Sequence, residues 1–263
     1  MFSKRLVDPE IIDWQLDGFA WLIDNFENVP GLPETELWLP IPKHYPDAKG
    51  RVLADHIFDC VKRQCRFSDE DIFELIAMEG RPDFDLGGLA MIQTEGDTAC
   101  GTYQFIPKAD GGPKEIIRYD AGLGDNPAQL VATFAHELGH ALHMRATEEL
   151  DEPPELYELF TDLTAVFLGY GVFLSNARFE FSQFSDGDRQ GWQMSGAGYL
   201  PEADLIFATA LFMAIKNIPE TVPKPFLKPR LQKMLSKAFK QLSKFESEIV
   251  ALRNRIPPKR SKT

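Results

Sequence analysis

Cysteine is scarce in this chain. The three present, Cys60, Cys65 and Cys100, cannot all pair with one another, so a disulfide framework is excluded as the source of stability. The opening residues contain no apolar run resembling a signal peptide, and with so few cysteines the expected setting is reducing and cytoplasmic. Long hydrophobic runs are also missing. The two longest uncharged apolar stretches, Leu163 to Leu174 and Leu205 to Ile215, fall short of the roughly 20 residues that span a bilayer, and they are expected to be core helices.

Positive charge is in deficit as well: 28 Lys and Arg stand against 40 Asp and Glu, giving −12 at pH 7. A polyanionic partner such as nucleic acid is disfavoured by that balance. Five of the basic residues lie in the final stretch Arg253 to Thr263, which holds no acid and is broken by Pro257 and Pro258. It is expected to be a solvated basic tail.

What is present in quantity is core material. Apolar residues make up 44% of 263, enough to bury a sizeable interior without metal or disulfide staples. Between Pro9 and Phe26 the apolar residues fall mostly at helical spacing, and Asp8 before Pro9 marks a start. Val29 to Pro46 carries Pro30, Pro33, Pro40, Pro42 and Pro46 and is expected to be extended, with a second helix from Ala48 to about Cys65.

Asp71 to Met78 reads as a strand and Glu79 to Gly88 as turn-rich, which places a boundary near residues 90 to 95. An N-terminal α/β subdomain, 1–95, would then precede a region 96–263 that carries the C-terminal helices and the tail. Cys100 to Ile106 and Glu115 to Tyr119 are β-rich runs around a loop, expected to form an antiparallel hairpin.

Asn126 before Pro127 caps a helix whose residues Leu130, Val131, Phe134, Leu138 and Leu142 hold one face inward. Another helix starts after Pro153 and Pro154, runs through Phe167 and bends at Gly169 and Gly171. Arg178 to Gly198 reads as a polar loop, Pro201 to Asn217 as helix, and Lys228 to Arg253 as a closing helix. That last helix carries Leu231, Leu235, Ala238, Leu242, Phe245, Ile249 and Leu252 in steps of four and three. Such a seam packs on the chain's own core or docks a partner helix.

The helix after Pro127 contains His136, Glu137, Leu138, Gly139 and His140, an HExxH pattern. It sets two imidazoles one turn apart on one face, where both can bind one zinc ion (Zn2+), with Glu137 beside them to take a proton from water. A catalytic zinc usually has a third protein ligand. Glu158 is the candidate, because Glu158 to Asp162 reads ExxxD on a helix. Asp162, one turn on, can accept a hydrogen bond from the far nitrogen of a histidine and fix its tautomer.

HExxH followed eighteen residues later by ExxxD resembles the gluzincin group of zinc metallopeptidases, typified by thermolysin, over about residues 98 to 175. The resemblance implies ligation by His136, His140 and Glu158, general-base work by Glu137 and support from Asp162. It further implies an α+β, zincin-like fold, mostly helical, in which the edge strand of a small sheet lies over the HExxH helix and aligns an extended peptide. Tyr157 stands where thermolysin-like enzymes carry an asparagine. With Gly169–Asn176 after ExxxD and Gly198–Glu202 before the next helix, the chain looks more like compact bacterial HExxH proteins than like thermolysin.

Other assignments stay open in the sequence. His143 and Glu155 are rivals for the third ligand. Tyr199 is the chosen donor to a developing oxyanion, in competition with Tyr103, Tyr157 and Tyr170, and set against a ring that merely packs at a helix entrance. His56, Cys60 and Cys65 lack the four ligands of a second zinc site and read as a reduced group on a helix. Cys100 either approaches the zinc as a thiolate or serves as a small strand residue. The expected activity is hydrolysis of a peptide or protein substrate. The alternative is a zinc-containing binding or regulatory protein with a peptidase-like fold and little or no hydrolysis.

Overall fold

A computed structural model describes residues 5–26, 35–41, 47–79, 100–107, 114–182 and 199–256. Helix α1, Pro9–Asn25, starts where Asp8 and Pro9 signal it. The Asp8 carbonyl, not its side chain, accepts the first free amides, those of Ile11 and Ile12. Helix α2 spans Gly50–Gln64. Strand β1 is Phe73–Met78, two residues shorter than expected. Asp71 leaves the strand because its carboxylate accepts both the amide and the hydroxyl of Ser68, closing a turn.

Strands β2, Gly101–Ile106, and β3, Lys114–Asp120, form the expected antiparallel pair, in register from Gly101 opposite Tyr119 to Ile106 opposite Lys114. The sheet order is β1-β3-β2, and β1 runs parallel to β3 from Phe73 opposite Glu115 to Met78 opposite Asp120. Segments from before and after residue 95 therefore share one sheet. The expected boundary at 90 to 95 lies outside the described residues, as do most of the turn-rich stretch and the basic tail. The architecture is α+β, mostly helical, with a small mixed sheet.

Helix α3, Pro127–His143, is capped as anticipated, with Asn126 Oδ1 accepting the Gln129 amide at 3.1 Å. The expected one-faced burial needs correction: every residue from Leu130 to Leu142 is buried. Phe134 meets Phe58 of α2 and Tyr119 of β3 edge-on, each with centroids 5.3 Å apart, and the other side of α3 packs on the helices that follow. A helix enclosed on all sides has little need of a polar face.

Helix α4, Tyr157–Ala165, runs through a π turn, Val166–Tyr170, into α5, Gly171–Ser182. The bend falls at Gly169, one of the two glycines expected to bend; Gly171 is helical, with φ −54. α5 continues past Arg178, correcting the loop expected from that residue; 183–198 lie outside the described residues. By length and composition the path Pro154–Arg178 could cross a membrane, yet 89% of its apolar window is buried inside the protein, which accounts for its hydropathy.

Helix α6, Glu202–Ile215, is almost wholly buried. The single closing helix expected from Lys228 to Arg253 is two helices: α7, Pro229–Leu242, and α8, Glu246–Arg255. The break at Ser243 to Phe245 lets α7 pack on α6 while α8 turns to reach both α1 and α6. Six seam residues are buried in this chain's own core, and Phe245 packs against it partly exposed. Gln241 of α7 ties down the N-terminal segment, accepting the Leu6 amide at 3.0 Å and donating to the Val7 carbonyl at 2.7 Å.

Gly169 has φ +96, and a Cβ there would lie 2.1 Å from the Glu36 carbonyl oxygen. Trp38 donates its amide to the Gly169 carbonyl, and Gln64 donates to the carbonyls of Glu36 and Leu168. Gly169→Ala is therefore expected to lower stability by at least about 1–3 kcal/mol. Urea unfolding reads this as a lower midpoint; an unchanged midpoint would show that the bend accepts a side chain.

Candidate metal centre

The site forms where α4 crosses α3. A Cβ on Gly139 would come within 3.0 Å of Thr161 Cγ2, so a residue without a side chain lets the two backbones approach at the level of the motif. That approach brings Glu158 under both imidazoles. Glu158 Oε2 is 3.1 Å from His136 Nε2 and 3.5 Å from His140 Nε2. The ligand atoms of His136, His140 and Glu158 lie within 4.8 Å of one another, the single group of this kind among the described residues.

The far side of each ring is also engaged. His136 Nδ1 is 2.9 Å from Asp162 Oδ1, and Asp162 Oδ2 accepts the Leu200 amide at 2.8 Å, fixing the carboxylate. His140 Nδ1 is 3.3 Å from Thr161 Oγ1. The Thr161 hydroxyl donates to the Tyr157 carbonyl at 2.9 Å and so accepts from His140. Both rings thereby direct Nε2 at Glu158, the tautomer metal ligation requires.

Thr161 was not among the candidates the sequence offered, which gave a partner to one histidine only, Asp162, and had Tyr157 in place of the asparagine of thermolysin-like enzymes. It lies one turn beyond Tyr157 and one residue before Asp162, where a β-hydroxyl can bond back into the helix. Tyr157 contributes only its carbonyl.

Electrostatics favour a cation here. Burial disfavours the charged form of His136, but hydrogen bonds with Asp162 and Glu158 outweigh it and hold the imidazolium well above the ordinary histidine range. Burial likewise works against the Glu158 carboxylate, and its bonds to both histidines prevail, holding it well below the usual carboxylate range. The cluster thus attracts positive charge, as a proton or a divalent cation.

Glu137 is 2% exposed, and its Oε2 has no hydrogen-bond partner among the described residues. Burial pushes its carboxyl up, opposed by the two histidines. Two imidazoles, one carboxylate and a neighbouring acid with an unmatched buried oxygen form a donor set that suits zinc with a water molecule beside it.

The remaining candidates fall elsewhere. His143 is half-buried and bonded through Nε2 to Thr164 Oγ1 at 2.7 Å, edge-on to Trp21, so it packs between α3, α4 and α1 rather than at the cluster. Glu155 is exposed in a short 3-10 turn and outside the cluster. Cys60 sits 3.5 Å from His56 and accepts from Arg63, whereas Cys65 is buried at the end of α2. Cys100 lines a pocket together with Glu137 and Tyr199, with Gln129 Nε2 3.9 Å from its sulfur.

Among the tyrosines, Tyr170 is in the core with its hydroxyl towards the Val61 carbonyl. Tyr199 packs on His136 at 5.2 Å, and burial together with surrounding carboxylates keeps its phenol protonated. Tyr103 of β2 lies parallel to the His140 ring at 6.4 Å and donates to Glu115 at 2.6 Å. Glu115 is itself gripped by Arg145, which also donates to the Ala141 carbonyl at the end of α3. This clamp of β2, β3 and α3 was invisible in the spacing of the sequence. Gly101 of β2 lies against Thr133 and Glu137, so the strand at the sheet's edge among the described residues borders the motif.

Compared with known protein families, curated proteins and solved structures, the chain matches none.

Replacing Thr161 with Val removes the hydroxyl and is expected to weaken zinc binding by about 10- to 100-fold in chelator competition. Unchanged affinity would remove Thr161 from the support of His140. A second expectation concerns His143, whose half-buried ring is pushed down from 6.5 to about 3, chiefly by desolvation. The unfolded chain binds this proton and the folded one refuses it. Stability from this residue is present above pH 6.5 and declines by up to about 1.4 kcal/mol per pH unit as pH falls towards 3. In His143→Gln that component is absent, so wild type and variant converge in stability on acidification. A gap that stays constant with pH would refute the assignment.

Proposed function

We propose that this chain is a zinc-dependent metallopeptidase of the gluzincin kind, with His136, His140 and Glu158 as metal ligands. The observation that carries the reading is the convergence of these three ligand atoms within 4.8 Å beside the unmatched Oε2 of Glu137. A zinc ion so held supplies Lewis acidity to a peptide carbonyl and lowers the pKa of water to about 7.

The protein's own residues do the remainder. Glu137 takes the proton of the attacking water at its carboxylate and delivers it to the departing amine nitrogen. Positive charge at His136 and His140 opposes the upward push of burial on Glu137, which favours the carboxylate that accepts that proton. Asp162 and Thr161 hold the two rings in register. Tyr199, protonated and against His136, donates to the oxygen that gains charge as water adds to the carbonyl. The edge of β2 that has no strand partner among the described residues offers backbone groups to an extended peptide lying alongside it. The three free cysteines accord with work in a reducing, cytoplasmic compartment.

Glu137→Gln is expected to keep stoichiometric zinc and to lose turnover by about 100- to 10,000-fold on a diverse peptide library. Equal cleavage by variant and wild type would remove Glu137 from the chemistry. Zinc-loaded wild type that cuts nothing at high loading would favour the alternative, a zinc-containing binding or regulatory protein.

A further inference from the structure

The pocket beside Glu137 holds chemistry that peptide hydrolysis as such does not require. Ala132 of α3, Leu174 and Ala177 of α5 and Leu205 of α6 give it an apolar wall, and Arg178 of α5 completes the lining. Among the described residues Arg178 is the only Arg or Lys in the lining. The guanidinium lies over the Tyr199 ring, 5.4 Å from the centroid, and no described carboxylate pairs with it. Arg178 is a half-buried guanidinium beside apolar side chains, on the α5 side of a pocket whose carboxylates, Glu137 and Asp162, come from α3 and α4.

The position of Glu137 says which part of a substrate meets this pocket. The acid that protonates the departing amine must lie beside that nitrogen, so the residue following the cleaved bond sits against the wall that Glu137 shares. That residue meets apolar side chains first and Arg178 with them. The guanidinium is placed over the Tyr199 ring, and its planar fork suits two-point pairing with a carboxylate.

Resting on the peptidase reading above, we infer that the pocket takes the last residue of a peptide chain. An apolar side chain fills the wall, and its free α-carboxylate pairs with Arg178. The activity is then removal of a C-terminal apolar amino acid. Water adds to the carbonyl carbon, the C–N bond breaks, the proton accepted by Glu137 passes to nitrogen, and the released amino acid leaves its carboxylate at Arg178 last.

The test compares N-acetylated tetrapeptides ending in leucine, as the free acid and as the C-terminal amide, with zinc-loaded protein. For wild type, kcat/KM is expected to favour the acid by about 10- to 100-fold. The ratio should fall to about one in Arg178→Gln and recover in part in Arg178→Lys. Equal use of acid and amide by wild type, or a preference that survives Arg178→Gln, overturns the inference. Calorimetry of the same peptides separates this from a failure of the peptidase reading. If neither peptide is cut, tighter binding of the acid that depends on Arg178 upholds the carboxylate subsite and refutes hydrolysis; equal binding, or none, refutes the subsite.

Discussion

His136 is gripped at both ring nitrogens by carboxylates one helical turn apart, Asp162 at Nδ1 and Glu158 at Nε2. Every other part of the centre depends on that grip. It requires α3 and α4 to cross closely, which Gly139 permits, and it requires a buried acid to be stabilised, which the Leu200 amide does for Asp162. The cost of burying several ionisable groups together is met by their mutual hydrogen bonds, while Glu137 Oε2 and the nearby Thr133 Oγ1 have no partner among the described residues.

The rest of the molecule supports this crossing from several directions. α3 has no solvent face between Leu130 and Leu142, so its histidines are fixed by packing as well as by polar contacts. The Tyr103, Glu115 and Arg145 clamp attaches the sheet to the end of α3, and Arg145 also lies over the Phe67 ring at 4.9 Å. The bend at Gly169 then returns the chain as α5, whose Leu174, Ala177 and Arg178 reach the pocket beside Glu137.

Much of the centre was legible because helices repeat every 3.6 residues: His136 with His140, and Glu158 with Asp162, each share a face by spacing alone. The cap at Asn126, the hairpin and the bend near Gly169 were legible from residues with few conformational alternatives. Thr161 was not, because a threonine in a helix signals nothing until a ring is seen against it. Nor was the parallel alignment of β1 with β3, since register across a long connection leaves no local trace. The break at Ser243 to Phe245 was hidden because apolar spacing continues through it, while α1 and α6 together decide where α8 must turn. Arg178 read as part of a polar loop, and only the continuation of α5 turns it towards the pocket.

The attachment of Gln241 to Leu6 and Val7 joins residues 235 and 234 positions apart in the chain. A polypeptide emerging from the ribosome completes the HExxH helix long before α7 exists. α1 must therefore wait, its apolar side only partly covered, until almost the whole protein has been synthesised. Truncation within the last two helices would expose that side in an otherwise assembled molecule, turning an error near the C-terminus into a sticky surface near the N-terminus.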